Sequence, residues 1–142
     1  AKTPAQHLRH VLSTHAHFEQ ALKAFASHPL INEAYFITAG VQGNEGAIVS
    51  RNRNGAADIW RLNDTAWYRV QTNYDHWNPV PKADDRRTPA VASMNALGES
   101  KVGIEGLYSV VTKWPVYNHH TDYTGIIAPF NGTYRSAVWV KE

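Results

Sequence analysis

Apolar residues recur every three or four positions through the first 28 residues, which is the spacing of a helix with one buried face. Thr3 and Pro4 are typical of an N-cap and of the first helical position. Pro29 favours an end to the helix at the residue before it. The pattern therefore predicts one long amphipathic helix with an apolar stripe formed by Leu8, Val11, His15, Phe18, Leu22 and Phe25.

Between residues 34 and 72 the pattern changes to short segments that are rich in aromatic and β-branched residues and are separated by turn residues. Asn54-Gly55 is typical of a two-residue hairpin turn. The segments predict an antiparallel meander of four strands at residues 34–39, 47–51, 58–62 and 66–72.

The second half of the chain returns to helical spacing after a loop. Residues 73–83 contain two prolines and no period, so we predict a loop that leaves the end of the fourth strand. Thr88-Pro89 resembles a second N-cap and N1 pair, and Gly98 is typical of a helix end. A third helix is predicted over Ile104–Val111, followed by a hairpin of residues 121–128 and 133–140.

Because helices and strands occupy separate blocks, the order of elements predicts the α+β class, an antiparallel sheet with helices packed on it. A length of 142 residues fits one domain, residues 1–142. The chain starts at Ala1, and we expect it to be a mature or processed piece of a soluble protein.

Composition excludes several kinds of chemistry. The chain has no cysteine, which rules out a disulfide, a cysteine-based zinc or iron–sulfur site and a thiol nucleophile within it. The formal net charge of +2 does not predict nucleic-acid binding. No run reaches the ~18 apolar residues of a membrane-spanning helix, so we expect no transmembrane segment.

The eight histidines do not predict a metal site. Metal ligands must converge on one point, whereas adjacent His119 and His120 tend to diverge. His15 lies within the predicted apolar stripe and is interpreted as a core or interface residue. We expect neither a metal nor a cofactor.

Two N-glycosylation sequons start at Asn63 and Asn131. Such triplets also arise by chance, so both alternatives stay open. If the sequons are used, we expect them in surface turns of a protein of the secretory pathway.

The greatest density of chemical groups lies in residues 72–89, much of it in the predicted loop. Asn73 could donate its side-chain NH₂ to a developing oxyanion, or it could simply form a turn at the end of a strand. Residues 84–87, Asp-Asp-Arg-Arg, could form a solvated helix start. Alternatively, one arginine could turn inward as a fixed cation for a carboxylate or an amide carbonyl.

Two motifs in this segment resemble the β-subunit of acid ceramidase and N-acylethanolamine acid amidase: Gln71-Thr-Asn-Tyr-Asp-His-Trp77 and Asp84-Asp-Arg-Arg-Thr-Pro-Ala90. The resemblance continues in register from about residue 10 to about residue 128, including residues 34–40, 45–46, 115–118 and 123–124. The chain is similar to the C-terminal half of that subunit.

The resemblance implies an N-terminal-nucleophile hydrolase with an αββα sandwich, of which this chain would form part. In that family a precursor cuts itself ahead of a cysteine, which then attacks a lipid amide with its own α-amine as the base. By position, it implies catalytic roles for Asn73 at the oxyanion and for Arg86 near the active centre, with Arg87 the lesser candidate. Tyr74, Asp75 and Trp77 belong to the motif and are carried over as substrate-binding residues.

The absence of cysteine leaves two main hypotheses. In the first, the chain is the non-nucleophile part of an N-acylethanolamine or ceramide amidase, and a second polypeptide carries the N-terminal cysteine. In the second, it is a non-catalytic relative that acts as a secreted binding protein, either lectin-like or with a storage or defence role. Its five Trp and seven Tyr would then supply stacking and apolar contacts to a ligand. A Ser or Thr N-terminal nucleophile is disfavoured because residue 1 is alanine. Both main hypotheses place the protein in the lysosome or outside the cell.

Overall fold

A computed structural model describes residues 1–140. Its helices and strands confirm the α+β class, with antiparallel sheets throughout the described residues. In chain order they are α1 (Pro4–Thr14), α2 (Phe18–Ser27), β1 (Ala34–Ala39), β2 (Gly46–Arg51), β3 (Ala56–Arg61), α3 (Arg87–Leu97), α4 (Ile104–Val111), β4 (Tyr123–Ala128) and β5 (Thr133–Val138). The chain divides into two compact units, Ala1–Gln71 and the residues from Thr72 onward. The assignment of residues 1–142 to one domain completed by another chain remains a prediction.

The first unit is a three-stranded antiparallel sheet in the order β1-β2-β3, with α2 packed on the sheet and α1 packed on α2. Phe36 of β1 lies opposite Val49 of β2, and both belong to the core that α2 covers. Every residue of the central strand β2 is buried. The first three predicted strands are therefore confirmed, and the turn at Asn54-Gly55 joins β2 to β3, where the Asn52 side chain accepts both of its backbone N–H groups.

The single long helix predicted for the first 28 residues is wrong, because α1 and α2 are separated at His15–His17. Ser13 and Thr14 both donate their hydroxyls to the carbonyl of His10, a local alternative to continued helix. The two apolar faces then pack against each other, with Val11 fully buried among residues of α2. His15 is half-buried at the break, and the core histidine is instead His7.

The predicted fourth strand, residues 66–72, is also wrong. Beyond β3 the Leu62 N–H still donates to Gly46, and Asn63 forms an isolated bridge with Ala66, but residues 67–72 have no strand assignment. Side chains hold this segment instead: the Arg69 guanidinium lies 4.6 Å from the Trp60 ring centre and donates to the carbonyl of Arg61. A high content of β-branched and aromatic residues reflects side-chain packing and does not require a backbone ladder.

The second unit packs α3 on α4 and α4 on the β4-β5 hairpin. Its buried residues include Ala90, Met94, Val110 and Ile126. Helix α4 has its predicted bounds, and α3 ends at Gly98, which adopts a positive φ of 77°. Helix α3 begins at Arg87, so Thr88 is not its N-cap. The carboxylate of Asp85 accepts the Thr88 backbone N–H at 2.9 Å instead, which satisfies a donor of the first turn.

The β4-β5 hairpin is confirmed with shorter strands than predicted. One face lies toward α4, where Arg135 pairs with Glu105 at 2.5 Å and stacks over the Tyr108 ring. The other face is apolar and exposed. We call it the open hairpin face, and its exposed fractions are 63–78% at Tyr123, Ile127, Tyr134 and Val138.

Both sequon asparagines are exposed beside turns, Asn63 before a turn and Asn131 before Gly132. Their use as glycosylation sites remains a prediction. No helix within residues 1–140 is long and apolar enough to cross a bilayer.

Candidate active-site cleft

A cleft of about 940 Å³ opens within the second unit. One wall comes from the loop and short 3₁₀ helix (Lys82–Asp84) that precede α3, and the other comes from the segment that leads into β4. The first wall contributes three of the predicted site residues, Asn73, Tyr74 and Arg86. The opposite wall includes Asn118, His120, Thr121, Asp122 and Thr124.

The side chains of Asn73 and Arg86 are joined directly, as Arg86 Nη2 donates to Asn73 Oδ1. A guanidinium can only donate, so this contact assigns the oxygen and the nitrogen of the Asn73 amide. The oxygen must face Arg86, and the NH₂ group must point away from it. Asn73 Nδ2 and Arg86 Nη1 make no hydrogen bond to any residue that the structure describes.

Asp84 holds the guanidinium of Arg86 from the other side. Arg86 Nε and Nη2 donate to its two carboxylate oxygens at 2.8 and 3.1 Å, and the Tyr74 hydroxyl donates to Oδ2 at 2.9 Å. These hydrogen bonds, first from Arg86 and then from Tyr74, lower the pKa of Asp84 below its ordinary value. The same carboxylate raises the pKa of Tyr74. The residues therefore form a chain of contacts, Tyr74–Asp84–Arg86–Asn73.

Arg87 occupies a different position from Arg86. In the first turn of α3, its guanidinium donates to the backbone carbonyls of Tyr74, Asp75, His76 and Asn78 at 2.7–3.4 Å. This guanidinium gathers the loop that follows Asn73 and does not line the cleft. Asp85 therefore stabilises a helix start, and Arg86 turns toward Asn73, whereas the functional role of Arg86 remains a prediction.

The structure does not bring all the predicted site residues together. Asp75 and Trp77 are not among the residues that line the cleft. The Trp77 side chain is 51% exposed and packs edge-on against His76 at 4.9 Å. Asp75 is half-buried, and its carboxylate accepts a long 3.4 Å contact from Asn78. Substrate binding by Tyr74, Asp75 and Trp77 remains a prediction.

Sequence reasoning missed Asp84 and the wall formed by residues 118–125. Asp84 is inside a quoted motif, but spacing alone does not say which of two adjacent carboxylates meets an arginine. The opposite wall approaches the loop only through the fold. Within residues 1–140, no group of three or more His, Asp or Glu side chains is placed to hold a metal ion.

Comparison with known proteins relates this chain to a class of enzymes. The chain is 46% identical to the rat N-acylethanolamine-hydrolyzing acid amidase over 123 residues, 85% of this chain and 34% of that protein. It is 35% identical to human acid ceramidase over 130 residues, 90% of this chain and 33% of that protein. No protein-family model matches the sequence.

The fold agrees with these similarities. The structure of the Caenorhabditis elegans N-acylethanolamine-hydrolyzing acid amidase ortholog superposes with a TM-score of 0.77 at 32% identity, over 87% of this chain and 53% of that chain. Fold and sequence together define an α+β relative of the lipid amidases. The chain belongs to the family of N-acylethanolamine-hydrolyzing acid amidase and acid ceramidase. It spans about a third of the length of these curated relatives.

Proposed function

We propose that this chain is the part of a lipid-amide hydrolase that stabilises the oxyanion, and that a separate polypeptide supplies the cysteine nucleophile. The substrate class is an N-acylethanolamine or a ceramide, as the names of the relatives indicate. The observation that carries the proposal is the Asn73 amide, whose oxygen is held by Arg86 so that its NH₂ remains available at the cleft.

The reaction is acyl transfer in two steps. The α-amine of the partner's cysteine takes the thiol proton, the sulfur attacks the amide carbonyl carbon, and negative charge develops on the carbonyl oxygen. Asn73 Nδ2 donates to that oxyanion, which lowers the barrier because the donor is already oriented. The oxyanion then collapses, the C–N bond breaks, and the amine leaves with a proton from the partner's α-ammonium group. Water hydrolyses the resulting thioester, which releases a fatty acid and restores the cysteine thiol.

Two features support a partner chain. The 142 residues contain no cysteine, whereas the resemblance implies a cysteine nucleophile. The open hairpin face exposes Tyr123, Ile127, Tyr134 and Val138, and contiguous apolar patches of this kind are typical of interaction surfaces. We infer that the polypeptide that carries the cysteine covers this face. A lysosomal or secreted location and a heterodimeric assembly belong to the same proposal.

Intact mass spectrometry of the native preparation, under native and denaturing conditions, tests the partner. A second chain that begins with cysteine is the expected result. If the native mass is this chain alone or a homo-oligomer, the catalytic proposal is overturned.

In the assembled enzyme, Asn73→Ala should lower kcat by about 10²–10³-fold, the loss typical of one oxyanion donor. The matched control is Asn78→Ala, in the same loop with an exposed side chain. Equal turnover in the Asn73 variant and the wild type would contradict the role of Asn73.

A second candidate function is a non-catalytic binding protein. The absence of cysteine favours it, together with exposed aromatic side chains such as Trp77 and Phe130. Tight binding of an N-acylethanolamine by the chain alone, without turnover, would support this candidate.

A further inference from the structure

The orientation of the Asn73 amide depends on the hydrogen bond that its oxygen accepts from Arg86. Arg86 sets that orientation, yet a guanidinium on a flexible side chain needs its own partner to stay in one place. Of the hydrogen bonds that its guanidinium donates, one goes to Asn73 and two go to the carboxylate of Asp84.

Asp84 is well suited to this task. It ends the 3₁₀ helix Lys82–Asp84, two residues before Arg86, so the backbone places the pair close together. Its carboxylate accepts from Arg86 through both oxygens, which fixes the plane of the guanidinium as well as its position. The Tyr74 hydroxyl occupies a further lone pair on Oδ2 and ties Asp84 to the residue that follows Asn73.

We propose that Asp84 is a positioning residue, which through Arg86 keeps the NH₂ of Asn73, and not its carbonyl oxygen, directed at the substrate carbonyl. This inference rests on the proposed function. Its physical basis is that a neutral replacement removes the charge that holds the guanidinium. The Asn73 amide can then rotate and present an oxygen, which repels an oxyanion and does not stabilise it.

The kinetic test uses Asp84→Asn in the assembled enzyme, with Asp85→Asn as the matched control. Both changes remove one negative charge, but Asp85 contacts the start of α3 at Thr88 and not the guanidinium of Arg86. We expect Asp84→Asn to lower kcat by about ten- to a hundredfold with little change in KM, since the oxyanion exists only after attack. Asp85→Asn should stay within about twofold, and Asp84→Glu should recover part of the loss.

A double-mutant cycle separates positioning from general damage to the fold. If Asp84 acts through Asn73, Asp84→Asn should cost almost nothing further in kcat when Asn73→Ala is already present. A full, multiplicative loss in the Asn73→Ala background would overturn the inference. So would a change confined to KM in the single variant.

A second readout does not need turnover, and it distinguishes failure of this inference from failure of the proposed function. In ¹⁵N spectra of the chain, Asp84→Asn should shift the side-chain NH₂ signals of Asn73 and the Nε–H signal of Arg86, whereas Asp85→Asn should leave them in place. If the Asn73 and Arg86 signals do not shift in Asp84→Asn, the inference is overturned even in an active enzyme. Clear shifts in a preparation without any activity would support the inference and overturn only the proposed function.

Discussion

Acidification should destabilise the first unit through one buried side chain, His7 of α1. The residue is fully buried, and its Nε2 lies 3.1 Å from the carbonyl oxygen of Ala24 in α2. Because a carbonyl can only accept, His7 donates from Nε2, and in the neutral ring Nδ1 carries no proton. Among the residues that the structure describes, Nδ1 has no hydrogen-bond partner. A second proton would therefore be buried without an acceptor.

The surroundings of His7 are also positively charged. Burial is the largest cause that lowers the pKa of His7 below the ordinary 6.5. The hydrogen bond to Ala24 raises this pKa in part, and the charges of His28, Arg51 and Lys2 lower it further. The His28 ring lies 5.4 Å from the His7 ring. The buried Arg51 guanidinium donates to the backbone carbonyls of Phe25 and His28, which carry no negative charge to offset its own.

The sign and size of the effect follow from proton linkage. Below pH 6.5 the unfolded chain binds a proton at His7 that the folded chain resists, so the free energy of unfolding falls as the pH falls. One proton corresponds to about 1.4 kcal/mol for each pH unit. His7 can therefore remove at most about 2 kcal/mol between pH 6.5 and pH 5. From about one pH unit above 6.5 its contribution should be constant, because the histidine is then neutral in the unfolded chain as well.

Urea unfolding at several pH values measures this loss, with His7→Gln as the test variant. Glutamine retains an N–H donor for Ala24 but does not titrate. We expect its stability to fall less than that of the wild type below pH 6.5. His10→Gln, on the exposed side of the same helix, should follow the wild type. Parallel pH curves for the wild type and His7→Gln would refute the reasoning.

Two further predictions concern single positions in the second unit. Arg87→Met should lower the free energy of unfolding by about 1–3 kcal/mol and speed amide exchange in residues 74–78, because four carbonyls lose their donor; unchanged exchange in that loop would contradict the role given to Arg87. Gly132→Ala should lower the free energy of unfolding, measured by heat or urea, by about 1–2 kcal/mol, because Gly132 has a φ of 70° that disfavours a residue with a Cβ. An added Cβ would meet no atom within 4 Å, so the cost comes from the backbone conformation alone. A neutral result would mean that the turn rearranges.

Local signals in the sequence predicted much of the secondary structure. Asn54-Gly55 marks the turn between β2 and β3, Gly98 ends α3, and the strand at residues 34–39 has the predicted bounds. Such signals act within a few residues, through backbone conformations that particular side chains favour or forbid. They do not depend on what lies elsewhere in the fold.

The two errors of element prediction have a common cause. An apolar stripe at helical spacing is compatible with one long helix or with two short ones that fold back, and burial of Val11 against α2 decides between them. The segment 66–72 is rich in strand-forming residues, yet Arg69 and Trp60 hold it by side-chain contact. Packing between distant residues outweighs propensities of well under 1 kcal/mol per residue.

The candidate site likewise has features that the sequence determined and features that only the fold decided. The sequence by itself determined the two motifs that contain Asn73 and Arg86, the family to which they point, and the absence of cysteine from these 142 residues. Only the tertiary structure decided that Arg86 meets Asn73 while Arg87 holds the loop, and that Asp84 and not Asp85 contacts the guanidinium. Adjacent residues of one type carry the same local signal. Their roles differ because the loop, the 3₁₀ helix and the start of α3 turn their side chains toward different partners.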